Sequence, residues 1–286
     1  MPKTVGETRK ARLERSCGPS AGDWIGHAPA SPGIERIEAF FSGHAYDPHR
    51  HDTYALGYTI SGVQSFTYRG VQADSLAGNA MVLHPDEVHD GRAGAEAGFR
   101  YRMIYMEPHR ISAALRGRTN TLPFVRTAVS SDTRLLAALG LGLTDLGRAL
   151  EPLEADRIVT VIADALFTLD ASLPARSIAA TSARAVDAAR EFLDAHFTRV
   201  VASEELEAVT GLDRYALARH FHLRLGTSPY RYLTMRRLDH AKAAILAGHA
   251  LAEAAFMSGF ADQSHMTRQF KQAFGLTPGH WQALRN

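Results

Sequence analysis

Arg268 stands one helical turn beyond Ser264 and just short of one before Lys271, so that Ser264, Thr267, Arg268 and Lys271 fall at i, i+3, i+4 and i+7, with Gln263 immediately before them. On a helix this spacing gathers all of them on one face. Arginine and glutamine are the side chains that read guanine and adenine edges in the major groove through paired hydrogen bonds, while serine, threonine and lysine suit phosphate oxygens. The same spacing recurs upstream in Tyr215, Ala218, Arg219 and His222. One such face on its own would be an ordinary solvated helix surface. Two of them, with an arginine at the same position of each, point to nucleic acid. A second group lies far upstream, where His49 and His51 alternate with Arg50 and therefore share one strand face. His89 belongs to a separate segment.

The two helical faces belong to an internal repeat. Gly211-Leu212 answers Gly259-Phe260, and at a constant offset of 49 Asp213 answers Asp262, Leu217 Met266, Arg219 Arg268, Phe221 Phe270, Gly226 Gly275 and Pro229 Pro278. Each copy reads as a helix, a turn with glycine and a second helix, which is the helix-turn-helix pattern. Asp213 and Asp262 sit where a helix needs an N-cap, and Leu217/Phe221 and Met266/Phe270 are i, i+4 pairs that bury the opposite face. Residues 231–246 are expected to form one continuous helix between the copies.

The remainder of the chain has a different texture. From 34 to about 107 come short runs rich in Tyr, Phe, Ile and Val (IERIEAFF, YALGYTI, SFTYRG, AMVLHP, FRYRMIYM) broken by turn residues. That pattern predicts an antiparallel sandwich or barrel. Leu135, Leu136, Leu139, Leu143 and Leu146 then form one helical stripe, and Ile158, Val161, Ile162, Ala165, Leu166 and Leu169 a second, with 147–152 turning between them. The hairpin carries more apolar surface than the β region is expected to cover, which predicts pairing with a second copy. Residues 1–33 are expected to be a loosely ordered arm, and the small, polar stretch 171–182 a linker.

Composition narrows the class. With 286 residues, 45% hydrophobic and 22% charged, the chain is an ordinary globular one, not a disordered or collagenous one. Its one cysteine, Cys17, excludes an intramolecular disulfide and a four-cysteine zinc site. The first thirty residues lack the apolar stretch of a signal peptide, and the longest greasy run, IVTVIADALFTL, is too short and too polar to span a bilayer, so a cytoplasmic location without membrane partners is expected. Residues 176–286 carry 14 Lys+Arg against 10 Asp+Glu, and residues 1–175 carry 18 against 20. The basic balance sits on the repeat, compatible with DNA. No phosphate loop, HExxH or Ser-His-Asp arrangement suggests other chemistry.

The run from Ser203 to Leu284, above all GFADQSHMTRQFKQAFGLTP, resembles the DNA-binding domain of the AraC/XylS family of bacterial transcription regulators. The family pattern is filled at Gly259, Phe260, Asp262, Arg268, Phe270, Lys271, Gly275 and Pro278. The resemblance implies two recognition helices entering successive major-groove faces of duplex DNA about one helical turn apart. It places base-reading positions on Tyr215, Ala218 and Arg219, and on Gln263, Ser264, Thr267 and Arg268, with Lys271 toward the backbone. Glu207 stands where the family usually has alanine, Ala254 where it has a larger aliphatic, and Ala218 leaves the first recognition helix poor in hydrogen-bonding groups.

The β region is similar to the cupin-type sensor of the same regulators, through Gly43, His49-Arg50-His51 and Gly62, and then Gly78 with Pro85-Asp86-Glu87-Val88-His89. In metal-binding cupins the first motif supplies two histidines and a glutamate and the second one histidine. Here Ala55 occupies the glutamate position. The resemblance leaves three uses open: His49, His51 and His89 holding zinc, iron or nickel as a divalent metal site, lining a pocket for an organic ligand, or serving as turn histidines. Tyr54 and Arg102 are further pocket candidates, and Tyr58, Tyr68 and Arg100 alternate with them on strands.

The expectation is therefore an α+β chain: a cupin-like antiparallel β-barrel at 34–125, a dimerisation hairpin at 126–175 and an all-α double helix-turn-helix domain at 176–286. Its function would be ligand-responsive transcription regulation rather than catalysis. The partners would be duplex DNA, a small-molecule effector, a second copy of the chain and, for an activator, RNA polymerase. The competing reading is a metal-dependent cupin enzyme with a helical tail.

Overall fold

The computed structural model describes residues 22–31, 33–170 and 179–285. Most of the expected arm and of the expected linker lies outside these residues. Two parts of those expectations do not hold. Trp24–His27 is a strand, β1, and the stretch read as linker already turns helical at Ala180. Four residues are too few to display a two-residue period, and only the partner strand identifies β1.

The sensor half comprises β1, β2 (Ile34–Phe41), β3 (His44–His49), β4 (Tyr54–Tyr68), β5 (Val71–Leu76), β6 (Ala80–Leu83), β7 (His89–Ala93) and β8 (Phe99–Met106). A short helix, α1 (Pro108–Ala114), a two-residue strand, β9 (Val129–Ser130), and the hairpin α2 (Thr133–Leu143) and α3 (Pro152–Leu169) follow. The strands pair antiparallel in the order β1-β2-β8-β4-β6-β9. The runs YALGYTI and SFTYRG are one strand, not two: β4 pairs β8 and β6 through its first half and β5 and β7 through its second. At the bend between them Gly62 has φ +73° and lies so close to the Gly98 carbonyl that a Cβ could not fit.

Strand parity sorts the side chains into two cores. Ala55, Phe66, Met81, Tyr101 and Met103 fill the barrel interior. Tyr54, Leu56, Val82, Ile104 and Met106 point the other way and bury the stripes of α2 and α3. Leu135, Leu139, Leu143, Ile158, Ile162 and Leu166 are all buried there. The sheet covers the hairpin stripes, so the surplus apolar surface that predicted pairing is absent from this face.

The reader half is helical: α4 (Ala180–His196), α5 (Ser203–Thr210), α6 (Arg214–Leu225), α7 (Pro229–Leu246), α8 (Leu251–Met257), α9 (Gln263–Phe274) and α10 (Pro278–Ala283). The repeat seen in the sequence is a structural repeat. Asp213 caps α6 by accepting from the Tyr215 and Ala216 amides, and Asp262 caps α9 by accepting from that of His265. Both second helices end on a left-handed glycine, Gly226 and Gly275. Each is followed by a helix with Ser228 or Thr277 at the cap and proline in its first turn. Glu207 has a local use: its carboxylate accepts from the Arg214 amide at 2.9 Å and pairs with the Arg214 guanidinium, reinforcing the start of α6. The first copy packs with α4 around Phe221, whereas the second packs in one continuous apolar core with the sensor barrel. Phe270 at the centre of the second copy is fully buried, and its truncation to alanine would cost about 3–5 kcal/mol.

Candidate ligand cavity and DNA-reading helices

A cavity of about 260 Å³ lies between the two halves. Sensor strands β1, β2, β3 and β8 form one wall through Ile25, Ile37, Tyr46 and Tyr105; α7, α9 and α10 form the other through Met235, Phe274 and Trp281. Its volume suits a small metabolite, and its apolar walls carry a few charged groups, as ligand sites do. Glu35, Asp52 and Glu107 come from the sensor, and Arg236, Asp239 and Lys242 from α7. Lys242 Nζ is 3.0 Å from Glu35 and lies 4.8 Å from the centre of the Phe274 ring. Arg236 spans 2.8 Å contacts to both Asp52 and Glu107. Burial pushes Glu35 upward, but Lys242 and His27 outweigh it and hold the carboxyl well below the usual range. For Asp52 burial prevails over Arg236, and its carboxyl is pushed up to about 6.

The histidine cluster stands at the sensor side of this cavity. The ring of His89 lies 4.3 Å from that of His49 and 4.9 Å from that of His51. Each Nδ1 lies 2.9 Å from a backbone carbonyl: that of His49 from Asp47, that of His51 from Thr53 and that of His89 from Glu87. Nδ1 must donate there, so each Nε2 carries a lone pair. Burial and mutual proximity lower His49 well below the usual imidazole range. Burial, opposed by these backbone bonds, lowers His51 to about 3 and His89 to about 4. The cluster is neutral at pH 7. Among the described residues no group of three His, Cys, Asp or Glu side chains is arranged to hold a metal ion. Ala55 lies in the packed barrel interior beside His89.

His49 and His51 line the cavity, while His89 sits behind them. The structure takes the other two pocket candidates elsewhere. The Tyr54 hydroxyl donates to the Pro123 carbonyl at 2.7 Å, in the core shared with the hairpin. Arg102 pairs with Glu38 and donates to the Leu143 and Thr144 carbonyls, where it ties down the C-terminal end of α2. Both lie on the outer face of their strands, a parity the alternating pattern could not assign. Conversely Glu35, Asp52, Glu107, Arg236, Asp239 and Lys242 carried no local signal, because they meet only when α7 docks on the barrel.

Of the proposed DNA-reading positions, Tyr215, Arg219, Gln263, Ser264, Arg268 and Lys271 are exposed, and Ala218 and Thr267 half-buried. Lys271 is also engaged by the sensor, 2.8 Å from Asp47. The C-terminal ends of both second helices rest on the sensor at equivalent places. Gly226 packs on Pro85 and Leu122, and Gly275 packs on Asp47, Tyr46 and His49. Backbone bonds from Leu122 to Leu223, from Asp47 to Gly275 and from Arg50 to Gln272 close the contact. Sensor carboxylates meet reader cations across it, in Asp86–Arg231, Asp52–Arg236, Glu35–Lys242 and Asp47–Lys271.

A barrel sensor joined through a shared cavity to two helix-turn-helix units defines a ligand-responsive DNA-binding regulator. The chain belongs to the AraC/XylS family: residues 31–168 match the AraC-like ligand binding domain and residues 206–283 a helix-turn-helix domain. It is 27% identical to the HTH-type transcriptional regulator YbfI of Bacillus subtilis over 240 residues, 80% of this chain and 86% of that protein. The probable transcriptional regulator LumQ of Photobacterium leiognathi is 27% identical over 92 residues, 32% of this chain and 37% of LumQ. In fold the chain is similar to ToxT of Vibrio cholerae bound to an unsaturated fatty acid, with TM-score 0.63 at 12% identity, covering 90% of this chain and 98% of ToxT. No helix among the described residues is long and apolar enough to cross a membrane.

Proposed function

We propose that the chain is a transcription regulator whose effector occupies the cavity between sensor and reader. The observation that carries this is the shared wall: α7, which joins the two helix-turn-helix copies, contributes Met235, Arg236, Asp239 and Lys242 to the same space as His49 and His51. An effector there touches the element that sets the relation of one reading helix to the other. The fatty acid bound by ToxT supports a small organic effector for this fold. In this reading α6 and α9 enter the major groove with Tyr215, Ala218, Arg219, Gln263, Ser264, Thr267 and Arg268 toward bases, and Lys271 meets phosphate. A homodimer is part of the reading, with RNA polymerase as a partner if the regulator activates. The exposed hairpin residues Leu141 and Leu153 offer an apolar edge for the dimer.

The test is selection of bound sequences from random duplexes by the full chain, followed by a metabolite screen that reads affinity for the selected duplex. Met235→Phe, which fills part of the cavity, should leave sequence selection intact and abolish the response to any compound that scores. A compound that still changes DNA affinity in that variant would remove the effector from the cavity. Failure to select any sequence would refute the reading of DNA by α6 and α9. Light scattering that gives a monomer with and without DNA would refute the dimer.

A further inference from the structure

The charged groups of the cavity do not balance. Four carboxylates, Glu35, Asp52, Glu107 and Asp239, face two cations, Arg236 and Lys242. Glu35 is matched by Lys242, with His27 3.1 Å on its other side. Arg236 is the cation in direct contact with the remaining three, at 2.8 Å from Asp52 and Glu107 and 3.2 Å from Asp239, while His109 also stands 3.1 Å from Glu107 and Arg231 and Lys242 act on Asp52 and Asp239 from farther away. Among the residues that line the cavity, the cations are still outnumbered two to one by carboxylates.

A second observation points the same way. Asp52 is 2% exposed, and while its Oδ2 holds Arg236, its Oδ1 has no hydrogen-bond partner. A buried carboxylate oxygen without a donor is costly, and native structures pair such atoms. Beside it, His49 and His51 have spent their only N–H groups on backbone carbonyls and offer lone pairs alone. Asp52 Oδ1 and the two imidazole Nε2 atoms are therefore acceptors at this end of the cavity, beside the Arg236 Nε–H, a buried donor likewise without a partner. The other end is apolar and aromatic, formed by Ile25, Leu276, Phe274 and Trp281.

We propose that the effector is a small organic cation, a protonated amine on an apolar or aromatic body, whose N–H groups satisfy Asp52 while the body lies against Phe274 and Trp281. A carboxylate ligand would add to the uncompensated negative charge and leave Asp52 without a donor. An ammonium corrects both. This rests on the cavity being the effector site, and it names the charge class that site takes.

The experiment uses the full chain at pH 8 in EDTA and reads thermal unfolding and calorimetric binding. The probes are 2-phenylethylamine, cyclohexylamine and hexylamine, each beside the alcohol and the carboxylate of the same skeleton. A ligand that binds only the folded state raises the unfolding temperature. At least one amine should bind and raise it, while its alcohol and carboxylate counterparts do not. Asp52→Asn should weaken that amine at least about tenfold, the loss of one charge-assisted hydrogen bond. Glu107→Gln provides the same reading on a second carboxylate should Asp52→Asn fold poorly. Equal binding of alcohol or carboxylate, or no shift from any amine, overturns the cationic class. If the carboxylate binds instead and Met235→Phe abolishes that binding, the class falls and the cavity stands. Amine binding unchanged in Met235→Phe overturns the cavity itself.

Discussion

Replacing Gly275 by alanine tests whether the reader is held to the sensor through the end of its second recognition helix. Gly275 has φ +70°, and an added Cβ would stand 2.8 Å from the Asp47 carbonyl oxygen, 2.9 Å from His49 Nδ1 and 3.1 Å from Tyr46 Cβ. Two costs follow. The left-handed backbone costs an alanine about 1 kcal/mol, wherever it occurs. The clash adds about 1–3 kcal/mol, because the Asp47 carbonyl is fixed by its strand and cannot swing aside. Gly211 supplies the control, since it ends α5 at φ +67° with nothing within 4 Å of an added Cβ. Gly211→Ala therefore measures the backbone cost alone. The difference between the two variants, about 1–3 kcal/mol, is the weakening of the sensor–reader contact. Urea unfolding of both variants gives the first comparison, and affinity for a selected duplex without effector gives the second. Gly275→Ala should be the less stable and, with Lys271 freed from Asp47, the tighter DNA binder. Equal stability losses would show that α9 does not pack on β3 as described, and the docking argument would fail.

Three further outcomes are expected. His51 and His89, held at about 3 and about 4 when folded, return to an ordinary imidazole value on unfolding, so stability is full above about pH 6.5 and is lost as pH falls toward those folded values. The loss should be on the order of 2 kcal/mol per imidazole at pH 5. Urea midpoints measured from pH 8 to 5 should fall steeply in the wild type and less in a His51→Gln, His89→Gln double variant; parallel slopes would show that these imidazoles do not titrate as buried groups. Arg268→Ala should cost about 1–3 kcal/mol on the preferred duplex and relax one base pair, whereas Lys271→Ala should weaken all duplexes alike and reduce the salt slope by about one. An equal loss for Arg268→Ala on preferred and scrambled duplexes would make Arg268 a phosphate contact. Asp47→Ala removes the sensor partner of the half-exposed Lys271. It should raise effector-free DNA affinity by no more than about fivefold, the limit for a surface ion pair, and a decrease would contradict the competition between sensor and DNA.

Much of the reader was legible in the sequence because its determinants are local. A cap, an i, i+4 apolar pair, a left-handed glycine and a proline each act within one or two helical turns, and Asp262, Met266/Phe270, Gly275 and Pro278 carry them in fixed order. Copying that order at an offset of 49 made the repeat visible before any tertiary contact was known. His49 and His51 do line the same cavity, although β3 ends at His49 and no common strand carries them. Longer-range features were not legible. Period-two alternation cannot say which face of a strand is inward, so it leaves Tyr54 and Arg102 as pocket candidates although both point toward the hairpin. The four residues of β1 are too few to show a period at all. Residues 231–246 read as a spacer helix, yet as part of α7 they bring Arg236, Asp239 and Lys242 against Glu35, Asp52 and Glu107, which lie more than a hundred positions upstream. Spacing along a chain records what a residue does to its neighbours within a turn or a strand. The cavity depends on which surfaces of two independently patterned halves meet, and only the packing of the reader on the barrel decides that.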